Sequence, residues 1–156
     1  MSRDKRELVA QMLHLARAHE AANEAFDEVA CEKLGINRTD LRCLNIVDNE
    51  GPMTAGRLAE RSGLTSAAVT AVLDRLERAG YARRVRDQVD RRQVIVQLTP
   101  LLAERGAAIW GPLGEEATAR LEQMTVEELG GVAEFFRYGI GLNERHVERL
   151  RELDFG

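Results

Sequence analysis

The stretch Thr54 to Gly80, TAGRLAERSGLTSAAVTAVLDRLERAG, decides the fold. It reads as two short helices joined at Ser62-Gly63-Leu64, the spacing of a helix-turn-helix. Thr54 is a good N-cap for the first, Ala55 to Ser62, and Gly63 closes it. Thr65 or Ser66 caps the second, which runs to Ala79 and stops at Gly80. At about 100° per residue, that second helix gathers Val69, Val72, Leu73 and Leu76 on one face, which must be buried. The opposite face holds Ala67, Ala71, Asp74 and Arg78, flanked by Ser66, Thr70 and Arg75. Near its start this outward face is small. Small residues let a backbone sit close to another surface, and Ala and Thr methyls can meet thymine methyls in a major groove. Exposed alanine is also simply the best helix former, so this face needs support from elsewhere.

That support lies in the adjoining stretch RVRDQVDRRQVIVQLTP, Arg84 to Pro100. Tyr81 to Arg86 reads as one strand. In a second strand Val94, Val96 and Leu98 share one face, with Gln93, Ile95 and Gln97 on the other. The loop between them carries Asp90, Arg91 and Arg92. Arginine is favoured in a narrow minor groove, where the potential is strongly negative. Asp90 reads as a partner that orients an arginine. As an isolated solvated turn its ion pairs would be worth only about 0–1 kcal/mol. Behind a helix-turn-helix, an arginine-tipped hairpin points to DNA.

Upstream, residues 4 to 33 read as one long helix. Leu8, Met12, Leu15, His19, Ala22, Phe26 and Val29 recur at alternating spacings of four and three, a heptad seam. A helix of about 30 residues is about 45 Å long, more than a domain this size covers alone. A partner helix from a second subunit is expected. "LGIN" breaks the pattern, and a helix follows from Thr39 to Asn49, ended by "NEGP". Downstream, Pro100 starts a helix. Pro112 within it predicts a kink or break. "TVEE", Thr125 to Glu128, is a capping box that opens a last helix, weakened midway by Gly139 and Gly141. The order is four helices, a hairpin and two helices.

The chain has 156 residues and a net charge of −4. A mildly acidic whole argues against indiscriminate nucleic-acid binding. The charge is unevenly placed. Thr54 to Leu98 holds nine arginines and five acids, a net of +4, against 13 basic and 21 acidic residues elsewhere. A basic middle between acidic ends suggests a localised anion-binding surface. Two cysteines, Cys31 and Cys43, make no disulfide framework. No apolar signal core opens the chain and no run is long enough to span a membrane, so a cytoplasmic protein is expected. His14 and His19 are five apart and cannot form an i, i+4 metal pair. The sequence has no glycine-rich phosphate loop, no nucleophile elbow and no carboxylate pair in a plausible cleft. No catalytic residue, metal or cofactor is expected.

"DRRQVIVQLTP" resembles the D-x-R-x-x-x-V-x-L-T wing signature of the MarR family of winged helix-turn-helix regulators. "GLTSAAVTAVLDRLERAGYARR" resembles that family's recognition helix and the entry into its wing. The resemblance covers the full chain in element order and residues 39 to 100 in motif detail. It implies a mainly α fold with a small β-hairpin wing. Residues 37–99 would form a winged helix-turn-helix lobe, and 1–36 with 100–156 a helical dimerisation platform, the two making a single integrated domain. It implies a homodimer on double-stranded DNA, with the helix from Ser66 in the major groove and Arg92 in the flanking minor groove. The DNA-facing set is then Thr54, Thr65, Ser66, Ala67, Thr70, Arg75, Arg91 and Arg92, with Asp90 orienting. Ala71 departs from members that carry arginine there, which shifts specificity towards Ser66, Thr70 and shape readout. Twofold symmetry predicts a pseudo-palindromic operator with half-sites about 10–10.5 bp apart.

The resemblance also implies a repressor released by a small, often aromatic or phenolic, effector. No pocket motif carries over. His19 on the seam and Trp110 before Pro112 are the physical candidates, against a hydrogen-bonded core histidine and a packing tryptophan. Two alternatives stand beside this. One is redox sensing through Cys31 or Cys43, against buried structural cysteines. The other is a winged helix that binds protein rather than DNA, a class that often loses its basic wing.

Overall fold

A computed structural model describes residues 3–87 and 93–154. The chain forms two compact units, Met1–Ile109 and Trp110–Gly156. The first opens with the 32-residue helix α1, Arg3–Leu34. Helix α2, Arg38–Glu50, starts one residue before the expected Thr39, because Asn37 caps it. The Asn37 side chain accepts the Asp40 N–H at 2.9 Å, and the Asp40 carboxylate accepts the Asn37 N–H at 3.3 Å. Two orphan donors are satisfied reciprocally.

Strand β1, Met53–Thr54, leads into helix α3, Ala55–Ser62. Thr54 accepts the Arg57 N–H at 3.1 Å, and Gly63 ends α3 at φ 67°, a left-handed turn suited to glycine. Helix α4, Ser66–Arg78, is capped by Thr65, whose hydroxyl accepts the Ala68 N–H at 3.2 Å. Strands β2, Ala82–Arg86, and β3, Val94–Leu98, come next.

The sheet order is β1-β3-β2, antiparallel throughout. The sequence predicts the β2–β3 hairpin and misses β1. Met53 pairs with Val96 and Thr54 with Ile95. Two residues are too few to carry a period-2 pattern, and only the free edge of β3 makes them a strand. Helices α2, α3 and α4 pack on one another, and α4 also packs on β2. Leu41, Leu44, Leu58, Val69, Val72, Leu73, Leu76, Tyr81 and Val96 form the core. Tyr81, expected at the start of the strand, precedes β2 and is buried. Its hydroxyl donates to the Leu34 carbonyl at 3.0 Å and accepts from Arg105 at 2.6 Å. The end of α1 and the start of the next helix are thus tied to the base of the hairpin.

Helix α5 runs Pro100–Glu122 without interruption. Of the kink or break expected at Pro112, the break does not occur: the turns on both sides propagate the helix across one missing bond. In the second unit, helix α6, Val126–Arg151, opens on the predicted capping box. Thr125 accepts the Glu128 N–H at 3.2 Å and donates its own N–H to the Glu128 carboxylate at 2.8 Å. The Thr125 hydroxyl donates to the same carboxylate at 3.0 Å, and the backbone and hydroxyl bonds together hold the Glu128 carboxyl below its ordinary range. Gly139 and Gly141 do not interrupt α6. Phe135, Phe136, Tyr138, Ile140, Val147 and Leu150 are exposed along it.

Candidate nucleic-acid interface

Four fully buried side chains, Val69, Val72, Leu73 and Leu76, press one face of α4 into the core. Burying each contributes about 1.5–3 kcal/mol. That fixes which face is left over. Ser66, Ala67, Thr70 and Ala71 are exposed on it, as the helical period predicts. Thr70 turns its hydroxyl back onto the Ser66 carbonyl at 3.0 Å, so its methyl is the group left facing outward. Thr65 is exposed beside them at the cap, and the Thr54 hydroxyl caps α3. The start of α4 therefore presents a small, low-relief surface on a rigid support.

Arg75 lies differently from a free DNA-facing cation. Its Nε donates to both Asp40 oxygens, at 3.2 and 3.1 Å, and its Nη2 to Oδ1 at 2.6 Å. The Asp40 side chain is 1% exposed and that of Arg75 38%. The hydrogen bond to Asp40 raises the Arg75 pKa further above its ordinary value. Asp40 thus joins the start of α2 to the middle of α4. Sequence reading missed it, although Asn37-x-x-Asp40 is a recognisable capping pattern. Arg42 adds a second tie, donating to the Ser62 carbonyl at the turn of the helix-turn-helix.

On the hairpin, Arg83 donates to Gln97 at 3.3 Å across the strands. Arg84 reaches the other way, onto α4, where Nη2 meets Asp74 at 2.8 Å and Nη1 meets Glu77. Burial opposes its charge, but the hydrogen bonds and charges of Asp74 and Glu77 outweigh that and raise its pKa. The expected wing residues Asp90, Arg91 and Arg92 lie outside the described residues.

The two effector candidates fall in different units. His19 is exposed on α1 rather than buried, and its Nε2 accepts from the Asn23 amide at 3.3 Å. Leu8, Met12, Leu15 and Val29 of the same seam are exposed with it. Trp110 is half-buried. Cys31 and Cys43 are both buried and free. Burial raises both thiols above their ordinary value, so both are neutral near pH 7. Among the described residues no group of His, Cys, Asp and Glu is placed to hold a metal. No described helix is long and apolar enough to cross a membrane.

A buried three-helix core with an exposed second helix, backed by a β-hairpin, defines a winged helix-turn-helix protein. The family model for the MarR family matches residues 36–94. The Bacillus subtilis protein YcgE, an uncharacterized HTH-type transcriptional regulator, is 37% identical over 129 residues, covering 81% of this chain and 82% of that one. Among solved structures, the transcriptional regulator PA4135 is 28% identical with a TM-score of 0.55, covering 81% of this chain and 93% of that one. Reduced AbfR bound to DNA shares the fold with a TM-score of 0.56 at 23% identity, over 97% of this chain and 100% of that one. This chain belongs to the MarR family and is a DNA-binding transcriptional regulator.

Proposed function

We propose that the chain acts as a homodimer that binds a pseudo-palindromic duplex site, each copy laying the start of α4 in a major groove. The observation that carries this is the two-faced α4: four buried apolar side chains behind, and exposed Ser66, Ala67 and Thr70 in front. Thr54 and Thr65 sit at the helix starts beside it, where N–H groups suit phosphate. Arg92, oriented by Asp90, enters the flanking minor groove, with Arg91 beside it in the DNA-facing set. Residues 37–99 are the DNA-binding lobe, and 1–36 with 100–156 the dimerisation platform. The exposed seam of Leu8, Met12, Leu15 and Val29 supports a partner helix. AbfR, which has this fold, is seen on DNA. We place Arg75 behind the interface, as the residue that holds α4 to α2. The buried, neutral thiols favour a ligand-relieved regulator over a cysteine sensor.

The test is fluorescence anisotropy on a duplex selected by the purified protein from a random-sequence pool. Binding should fall steeply with salt, as counterion release requires. Arg92→Ala should weaken it by about tenfold, the scale of one good groove contact, with the dimer intact. A protein that selects no duplex would be the protein-binding winged helix instead.

A further inference from the structure

An acid stands where a DNA-facing helix should carry none. The Asp74 side chain is 53% exposed, on the same face of α4 as Ala67 and Ala71. A bare carboxylate there would be repelled by phosphate. Arg84 answers it from the hairpin. Its Nη2 donates to Asp74 Oδ1 at 2.8 Å and to the Thr70 carbonyl at 3.3 Å. Its Nη1 donates to Glu77 Oε2, and its backbone N–H to Glu77 Oε1 at 2.7 Å. Thr70, Asp74 and Glu77 lie at i, i+4 and i+7, one stripe along α4. Arg84 pairs with the buried Val96, two residues before the strand ladder ends at Arg86 and Val94. One guanidinium therefore bolts the stalk of the hairpin to the flank of the helix.

We infer that Arg84 is a positioning residue for DNA binding: clamped on Asp74, Glu77 and the Thr70 carbonyl, it fixes the spacing between the two elements that enter the grooves. This rests on the proposed DNA-binding function. Stability alone does not account for the arrangement, since partly exposed ion pairs contribute little to it. Direct contact with DNA does not account for it either, because two carboxylates already neutralise the guanidinium. A shared rigid geometry does. Two contact elements held in register bind as one body, whereas a loose hairpin must be ordered on each encounter.

The test is a double-mutant cycle on the selected duplex, with wild type, Arg84→Gln, Arg92→Ala and the pair, each checked for its melting transition and dimer state. Arg84→Gln should weaken binding by about tenfold, within the range for coupled residues. In the Arg92→Ala background it should cost less, because the wing has then lost its groove arginine and only Arg91 beside it is left to position. Arg84→Lys should recover part of the loss, since a point charge cannot span three acceptors. Additive losses, or wild-type binding by Arg84→Gln, overturn the clamp alone. Should Arg84→Gln fail to fold, Asp74→Asn carries the test. Removing a merely repulsive charge would tighten binding, whereas removing the anchor weakens it. Tighter or unchanged binding by Asp74→Asn overturns the clamp. A wild type that ignores duplex DNA, or an Arg92→Ala variant that binds like wild type, removes the groove reading and the clamp with it.

Discussion

Asp40 is the residue on which the lobe turns. It is buried, it closes the capping box of α2, and it receives the fork of Arg75 from α4. Removing its cation leaves a carboxylate out of water with one N–H for company. Arg75→Ala is expected to destabilise the fold by about 1–3 kcal/mol, at the lower end because water still reaches the guanidinium. Chemical denaturation checks this, and an unchanged midpoint would remove Arg75 from its structural role. The two thiols give a second expectation. Cys31 and Cys43 have folded pKa values raised by burial. A raised folded value contributes stability that is complete below the unfolded pKa and is lost as pH rises through the folded one. Stability should therefore fall in the alkaline range, above the ordinary thiol value of 9.0. Replacing both cysteines by alanine should flatten that fall, measured as denaturation midpoint against pH. In the native protein at neutral pH, both thiols should resist iodoacetamide until it unfolds.

At the scale of elements, helix α4 has two tasks assigned to opposite faces. Leu73 is almost wholly buried, and Leu73→Ala should cost about 2–5 kcal/mol, read as a lower melting temperature. An exposed Ala67→Ser on the same helix should leave the melt nearly unchanged. A melt that treats the two alike would mean that the faces are misassigned. This division was legible in the sequence, because Val69, Val72, Leu73 and Leu76 recur at helical spacing and the turn is punctuated by Gly63. So were the capping threonines Thr54 and Thr125, the choice of Thr65 or Ser66 as the cap of α4, and the two strands of the hairpin. Strand β1 was not, since Met53-Thr54 becomes a strand only beside β3. Pro112 misled in the other direction. Local sequence argues for a break there, and the continuity of α5 overrides it.

At the scale of the whole molecule, the seam of α1 is left unsatisfied. Leu8, Val9, Met12, Leu13 and Leu15 are exposed in the single chain, a row of apolar groups without a cover. Apolar patches of this kind mark interfaces. Leu15→Glu should shift the protein to monomer in sedimentation, and duplex binding should weaken with it, because a monomer engages one half-site. A monomeric variant that binds the full site like wild type would detach DNA binding from the platform. His19 lies on the same row, which is why a position that reads as core in the heptad is open in one copy.

The sequence by itself determined the helices, the caps Thr54 and Thr125, the turn at Gly63 and the face of α4 that is turned to the core. These come from periodicity and from backbone groups that need partners within a few residues. It also determined the lean of basic charge towards the middle of the chain. Only the tertiary structure decided which arginines have partners. Arg75 looked like a cation for DNA and is forked onto Asp40, 35 positions away. Arg84 looked like one more basic residue of the wing and is held by α4. A salt bridge between distant positions leaves no period in the chain, because its partners meet only after the elements have packed.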